Sequence, residues 1–558
     1  MHHFIGYITM NSIVAYKYDK NIISNLKQWV FGTNWPVVYI YYNDKKAYVG
    51  ETLDAVRRTE QHSEENEFDD FTSICFISNK TFNKSVILDL ESFLIKYISA
   101  DGSKKLINGN AGVVDHNYFY KEAYEDDFKY IWNALIEKGI VSKSIIDIEN
   151  SELFKYSPYK SLNDEQQKTA HAILQHIYEM NDASTDSLIQ VCGGAGTGKT
   201  ILAVYLVKLL VDIKKQKAIW KSIDDPEEAD LIESLSKKIT GIREIGFVVP
   251  MKELRDTMKN IFKSIDDLSP KMIYAPEEVT QKHFDILIVD EAHRLYQNKH
   301  LPRGATSKFK KINMKLMGNA YTNSETDLTE LDWIIKSSRL QILFYDYRQS
   351  IRTPDISKER FADICRPHLF KYIELFSQMR CKGGVGYYDY VRKVLMTTNL
   401  SVHEYQKISN YRIQIVDNID ELTTFIDYQN TEGDGLCKVV AGPGWNIKED
   451  IIIENNTYHW YGSNLSNDII YSIHKIQGFD LNYAGVIFGH EVRYDPITRR
   501  IEIVKRNLKD NHSKSSGDEL MREYLLNIYL TLMTRGIKGT YIYVMNDELR
   551  DYLRAFFT

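Results

Sequence analysis

The sequence predicts an α/β protein: a small α/β unit near the N-terminus, then two tandem parallel sheets covered by helices. Three observations carry that expectation. Residues 37–50 hold two short β-rich runs around a polar turn. From residue 187 onward, continuous apolar runs alternate with helical segments, the pattern of parallel strands buried on both faces. A glycine-rich loop stands between the first of those runs and an apolar helix.

The N-terminal unit reads element by element. In VVYIYYNDKKAYVG, residues 37–43 and 46–50 form a hairpin around Asn43-Asp44-Lys45. Residues 53–63 look helical, and FTSICFI (71–77) reads as a third strand. SVILDLESFLIKYI (85–98) places apolar residues at helical spacing. The unit closes near Gly112. Residues 114–160, rich in tyrosine and charge, form a mostly helical connector. Beyond it, strands are expected at SLIQVC (187–192), GFVVP (246–250), DILIVD (285–290), LQILFYD (340–346), CKVVAG (437–442), AGVIFG (484–489) and TYIYV (540–544).

Composition narrows the class. A chain of 558 residues has room for about three or four domains. With 43% hydrophobic and 26% charged residues it is neither disordered nor fibrous. The net charge of -6 and pI near 6.2 mean that bulk charge does not attract nucleic acid. Such a partner must be held by local basic patches. The five cysteines are scattered without zinc spacing, which fits a reducing cytoplasm. No long apolar run and no signal-peptide pattern is present, so a cytoplasmic protein without a membrane partner is expected.

GGAGTGKT spans Gly193, Gly194, Ala195, Gly196, Thr197, Gly198, Lys199 and Thr200, and satisfies the phosphate-loop pattern G-x-x-x-x-G-K-[ST]. Its glycines let backbone amides face a β-phosphate, and the following helix adds its positive end. Lys199 would reach the β- and γ-phosphates of ATP, and Thr200 would ligate Mg²⁺. In ILIVDEAHR two carboxylates emerge from a buried strand. Asp290 would hold the ion, and Glu291 would orient or deprotonate the attacking water.

With these two segments in place, residues 161–558 resemble superfamily 1 helicases, which implies two RecA-like domains. The resemblance makes Gln166, in SLNDEQQ, the adenine contact. FYDYRQ matches at Asp346 and Gln349, with Tyr345 in place of a glycine, and Gln349 would sense the γ-phosphate. LFSQMRC supplies a first transition-state arginine, Arg380. IHKIQGFD matches at His474, Gln477 and Gly478, with Asp480 where glutamate is usual, and couples nucleotide to the nucleic-acid strand. LTLMTRGIKGTYIYV supplies the second arginine, Arg535. Guanidiniums of this kind stabilise charge that spreads onto the γ-phosphoryl oxygens. FSQMRCKGG followed by tyrosines, and AGVIFG after QGFD, look closest to the bacterial Schlafen-group helicase-like family. RGATSKFKKINMK (303–315) reads either as an inserted loop gripping phosphates or as a solvated face. Residues 492–506 read as a basic hairpin with the same two uses.

Spacing also singles out residues in the first unit. Tyr39 and Tyr48 lie on neighbouring runs, and Arg58 and His62, at i and i+4, share a helix face. Glu91 falls inside the amphipathic helix, and Asn108 lies in LINGN. Tyr41 and Tyr42 receive no role. Over residues 36–112 this resembles the GIY-YIG nuclease family, with VVY for GIY and YVG for YIG. Val37, Val38 and Val49 are the departures. The resemblance implies Glu91 as the single ligand of Mg²⁺ (or Mn²⁺) and Arg58 as the stabiliser of phosphoryl charge. It makes Tyr39 the general base, with Tyr48 and His62 positioning or assisting, and Asn108 bracing the site.

The domains expected are 1–112, nuclease; 113–160, connector; 161–358, first ATPase domain; and 359–558, second. The function expected is ATP-dependent cleavage of nucleic acid, DNA first, in anti-phage or mobile-DNA defence with partner proteins of such a system. The alternatives are an RNA- or tRNA-directed enzyme and a nucleotide-gated binding module whose nuclease half is inactive.

Overall fold

The computed structural model describes residues 12–557 apart from 109–117, 120, 150, 159–161, 181–186, 195, 218–225, 239–241, 300, 302–303, 323, 325–326, 347–354, 377–382, 409–410, 434, 447–448, 462–467, 473–480 and 510–517. It divides into two units. One comprises Met1–Ser184, Thr200–Phe247 and Arg255–Tyr274; the other comprises Thr185–Lys199, Val248–Leu254 and Ala275–Thr558.

A strand absent from the sequence expectation comes first, β1 (Ser12–Lys17), followed by α1 (Ile22–Gln28). The hairpin is β2 (Val37–Tyr42) and β3 (Lys46–Thr52). Its turn closes because Asn43 Oδ1 accepts from the backbone N–H of Lys45 and Lys46 at 2.8 and 2.7 Å. Asp54 caps α2 (Ala55–His62) by accepting from Arg57 N–H. Then come β4 (Ser73–Ser78), α3 (Lys84–Asp101) and β5 (Lys105–Leu106). The sheet order is β1-β4-β2-β3-β5, antiparallel except for β3 with β5.

Register explains the tyrosines. Tyr39 pairs with Gly50 and Phe76, and Tyr41 with Tyr48 and Ile74. A two-residue period sends all of these to one face. There they form an aromatic core with Trp29, Phe68 and Phe71, under Ala55 and Val56 of α2. Tyr41, given no role from spacing, is fully buried in that core. The Tyr39 ring rests on Gly50, where an added Cβ would meet the Tyr39 hydroxyl at 2.4 Å. The glycine in YVG is therefore a close-approach site. α3 packs against β2 and β3. The connector is helical over Lys121–Glu137, Ile145–Glu149 and Glu152–Lys155, and Trp132 is buried with its N–H donated to Lys143 O.

The next sheet contains β6 (Ser187–Gly193), β7 (Ile245–Val248), β8 (Ile273–Tyr274), β9 (Phe284–Val289), β10 (Ser338–Tyr345) and β11 (Leu369–Leu375), in the order β11-β6-β10-β9-β7-β8. β11 with β6, β6 with β10 and β10 with β9 are parallel. β11 lies past residue 358, so the first sheet extends beyond the border expected from sequence. Leu369, Phe370 and Tyr372 are exposed, which hid β11 from a reading based on apolar runs.

The last sheet contains β12 (Arg412–Ile415), β13 (Lys438–Ala441), β14 (Ile451–Ile453), β15 (Asn456–Trp460), β16 (Ile469–Ser472) and β17 (Leu481–Phe488). After the hairpin of β18 (Val492–Asp495) and β19 (Arg500–Ile503), β20 (Gly536–Val544) completes it. The order is β12-β20-β17-β13-β16-β15-β14, parallel but for β14 with β15. The hairpin expected at 492–506 is present as β18 and β19. The loop reading of 303–315 is corrected: Ala305–Met317 is a helix. Phe309 and Asn313 are buried, and Asn313 Oδ1 accepts from Trp333 Nε1 at 2.7 Å. Among the described residues no helix is long and apolar enough to cross a membrane.

Beyond β17 a carboxyl is buried among glycines. Glu491 is fully buried and accepts a hydrogen bond from Tyr529 Oη. A Cβ on Gly444 would meet Glu491 Oε2 at 2.0 Å. Burial raises Glu491 to about 7, against the lowering effect of Tyr529 and of the backbone amides of Glu491 and Gly444. The folded chain thus holds a proton that the unfolded chain releases near 4.5. This contribution to stability is complete below that value and is lost as pH rises through about 7. The stability of wild type relative to Glu491→Gln should therefore fall by roughly 3 kcal/mol across that window in urea denaturation. Parallel pH curves would remove this account of Glu491.

Candidate active sites

In the first unit, Tyr39 is 2% exposed, yet its hydroxyl meets two side chains of α2. Arg58 Nε donates to Tyr39 Oη at 3.2 Å, and His62 Nε2 lies 3.0 Å from the same oxygen. Arg58 and His62 stand one turn apart, as their spacing requires. His62 Nδ1 lies 2.8 Å from Glu65 Oε2. Burial pushes His62 down to about 4, against the upward pull of Glu65, with Arg58 adding to the lowering. His62 is therefore neutral at pH 7. Burial also pushes Tyr39 well above 10; Tyr48 adds to the rise and Arg58 opposes it.

Tyr48 stacks on Tyr39 with centroids 6.4 Å apart. Asn108 Oδ1 accepts from Val49 N–H at 3.0 Å and its Nδ2 donates to Val49 O at 2.7 Å. That amide ties the chain after β5 to the strand carrying Tyr48. Glu91 is half-buried in α3, the helix packed on the strands of Tyr39 and Tyr48. Among the described residues no group of three or more His, Cys, Asp or Glu forms a metal cluster. A single carboxylate suits Mg²⁺, which keeps waters and takes substrate phosphate oxygens for the rest of its shell.

The phosphate loop follows β6. Gly196 and Gly198 have φ of +84° and +76°, left-handed values that favour glycine. A Cβ on Gly193 would meet Thr197 Oγ1 at 2.5 Å. Thr197 Oγ1 donates to Gly194 O at 3.0 Å, which tightens the loop. Lys199 opens the helix Lys199–Lys214, and Thr200 is its second residue, half-buried. The Lys199 ammonium is 5% exposed, donates to Gly193 O and Gly194 O at 2.6 and 2.8 Å, and lies 3.7 Å from Asp346 Oδ2.

Asp290, fully buried, follows β9, and its N–H donates to Val248 O. Glu291 adopts φ of +51°, a strained conformation for a residue with a side chain. His293, absent from the sequence assignment, links two segments. Its Nδ1 accepts from Asp346 N–H at 3.3 Å, and its Nε2 lies 3.0 Å from Glu291 Oε2. Accepting at Nδ1 leaves the proton of a neutral imidazole on Nε2, facing Glu291. Burial alone would raise Glu291, but His293, then Lys199 and Arg294, outweigh it and hold the carboxyl below the usual range. The signal for His293 was its place in DEAHR.

Gln166 is fully buried in a capping box of the helix Asp164–Glu179: Asn163 accepts from Gln166 N–H, and Gln166 Oε1 accepts from Asn163 N–H. Arg535 follows the helix Asp518–Met533 and is 6% exposed. Tyr387 and Thr540 donate to Met533 O, and Tyr411 Oη lies 2.7 Å from Thr540 Oγ1, fixing the turn that carries it. Ala195, Gln349, Arg380, His474, Gln477, Gly478 and Asp480 lie outside the described residues.

A family model described as "Schlafen group 3, DNA/RNA helicase domain" matches residues 186–546, well over half of the chain. The chain belongs to the Schlafen group 3 helicase-domain family. This Schlafen group 3 protein is accordingly a helicase-like ATPase, and the matched span contains the phosphate loop, Asp290, Glu291 and Arg535. Tyr39, Arg58, His62 and Glu91 lie before it.

An uncharacterized protein of Saccharomyces cerevisiae is 22% identical over 452 residues, covering 70% of this chain and 90% of that one. An Arterivirus nonstructural protein 10 helicase solved with DNA shares 12% identity over 70% of this chain and 65% of its own, with a TM-score of 0.29. Bacteroides Pif1 solved with ADP-AlF4 shares 12% identity over 71% of this chain and 97% of its own, with a TM-score of 0.27.

If the Schlafen group 3 ATPase uses His293 to hold Glu291, His293→Ala should leave nucleotide binding intact. ATP turnover should then drop about 10- to 100-fold, the scale of losing an orienting partner. Nucleotide titration and phosphate release on one sample check both; an unchanged turnover rate would rule the role out.

Proposed function

We propose that this protein couples a metal-dependent GIY-YIG-type phosphodiesterase in residues 1–112 to ATP turnover by the helicase-like ATPase, with DNA as the first substrate to test. The observation that carries the nuclease half is the convergence of Arg58 and His62 on the hydroxyl of buried Tyr39. A packing tyrosine needs one polar partner at most. This one has a cation and a neutral imidazole on a single oxygen.

The chemistry follows from the side chains. Tyr39, relieved of its proton, takes one from the attacking water. Arg58 stabilises the negative charge that grows on the phosphoryl oxygens, and Tyr48 and Asn108 hold the hairpin in place. Glu91 would hold Mg²⁺ or Mn²⁺, which supplies charge stabilisation at the leaving oxygen. In the ATPase, Lys199 would bind the phosphates of ATP, with Thr200 and Asp290 holding Mg²⁺. Glu291 would act on the attacking water, Gln166 would read adenine, Gln349 would sense the γ-phosphate, Arg380 and Arg535 would stabilise its transition-state charge, and Gln477 and Gly478 would couple nucleotide to the nucleic-acid strand. These roles belong to two RecA-like domains, expected from sequence at 161–358 and 359–558 behind a connector at 113–160, with the first sheet running on to β11.

Within one compact unit, the N-terminal sheet and the segments after the phosphate loop share an ion-pair cluster. Lys105, on the strand leading to Asn108, pairs with Asp266 at 3.0 Å, and Asp266 pairs with Lys217 at 3.2 Å. Lys217 lies just past the helix that begins at Lys199. Defence against phage or mobile DNA is the setting such a pairing suits. RNA or tRNA is the second substrate reading, because the family description names both DNA and RNA helicases.

The test uses purified wild type, Glu91→Ala and Lys199→Ala with end-labelled DNA and RNA in Mg²⁺, with and without ATP. Glu91→Ala should abolish cleavage with ATP turnover retained, and Lys199→Ala should abolish ATP turnover. Cleavage that survives in Glu91→Ala would refute the metal assignment. Absence of cleavage by wild type would leave a nucleotide-gated binding module as the reading.

A further inference from the structure

We propose that Glu65 is a positioning residue of the N-terminal site: its carboxylate holds His62 in the tautomer whose Nε2 lone pair takes the proton of Tyr39. The inference rests on the nuclease reading above and adds a third member to its proton path.

The geometry is a chain of three groups. Glu65 Oε2 lies 2.8 Å from His62 Nδ1, and His62 Nε2 lies 3.0 Å from Tyr39 Oη. A neutral imidazole has one N–H and one lone pair. The carboxylate accepts only, so the N–H sits at Nδ1 and the lone pair at Nε2 faces the phenol. Arg58 Nε, which can only donate, contacts Tyr39 Oη from another side at 3.2 Å. The Tyr39 proton is thereby directed to His62. Without Glu65, either tautomer is open to His62, and the one protonated at Nε2 cannot accept from Tyr39.

An i,i+3 pair of histidine and glutamate on a helix end is ordinarily a weak surface contact. This pair is different because His62 is 2% exposed while Glu65 is half in solvent. The imidazole is enclosed by Phe68, Tyr41 and Tyr48, with ring centroids at 3.8, 5.5 and 5.8 Å. Among the described residues its polar surroundings are Arg58 on its own helix, Tyr39 on β2, and Glu65. Glu65 is the one carboxylate in that set, so it is the group able to offset a positive imidazole as the proton arrives.

Atoms balance along the path. The Tyr39 O–H proton passes to His62 Nε2, and the phenolate removes a proton from water as its oxygen bonds to phosphorus. The bond from phosphorus to the leaving oxygen breaks with its electron pair on that oxygen, which takes a proton from solvent on the far side of phosphorus, while His62 gives its proton up to solvent. Tyr39 and His62 return to their starting forms.

Single-turnover cleavage of a labelled DNA duplex in Mg²⁺ is measured from pH 3 to 9 for wild type, Glu65→Gln, Glu65→Ala and Glu65→Asp. In parallel, ¹⁵N spectra of histidine-labelled protein, with His62 identified by its loss in His62→Ala, report which ring nitrogen carries the proton. Melting temperatures check folding. The proposal expects a loss of about 10-fold in Glu65→Gln and up to about 100-fold in Glu65→Ala, partial recovery in Glu65→Asp, and an acid limb displaced to lower pH in Glu65→Gln. It also expects a His62 signal protonated at Nδ1 in wild type and redistributed in Glu65→Ala. Wild-type rates in Glu65→Ala, or slower cleavage with an unmoved acid limb, would overturn it. A wild type that cuts nothing would sink the nuclease reading, and the imidazole signal would still decide the relay: a His62 tautomer indifferent to Glu65 would end it.

Discussion

A buried phenol cannot leave its hydroxyl without partners, and the N-terminal site is organised around that constraint. Tyr39 lies on the inner face of the first sheet because its register opposite Gly50 puts it there. Gly50 has no side chain to push it away. Once the ring is buried, its oxygen must find polar groups, and among the described residues α2 brings them. Asp54 starts that helix at the residue that sets Arg58 and His62 on the inward face. The same burial that selects these partners makes His62 neutral and keeps Tyr39 protonated until a base acts on it.

The ATPase half follows the same logic with charges instead of a phenol. Lys199 is buried, and the carbonyls of Gly193 and Gly194 satisfy it. Glu291 sits on a strained backbone turn because a strand must deliver Asp290 and then turn sharply away. His293 couples that turn to Asp346 at the end of the neighbouring parallel strand β10. Charge, strain and hydrogen bonding converge where strands end, which is where parallel sheets present their sites.

Much of this was legible in the sequence, and what was not has physical causes. The hairpin, its capped helix and the continuous apolar strands announced themselves by period. Gly193–Thr200 and Asp290-Glu291 announced themselves by motif. β1 escaped because its residues are half-buried, and its partner is β4, more than fifty residues away. β11 escaped because exposed residues interrupt the apolar pattern. The lysines of 303–315 suggested a loop, while the buried Phe309 and Asn313 that make it a helix were hidden among them. Glu65 carries no motif at all. Its role comes from a helix end that places it beside a buried imidazole.

The central claim is that Tyr39 is a reacting group as well as a core residue. Tyr39→Phe keeps the ring over Gly50 and removes only the oxygen that Arg58 and His62 contact. Single-turnover cleavage of labelled DNA and RNA in Mg²⁺ and ATP, wild type against Tyr39→Phe, tests it directly. The account predicts cleavage by wild type and a loss of about 100-fold or more in the variant with its fold intact. Equal cleavage by both proteins would contradict it.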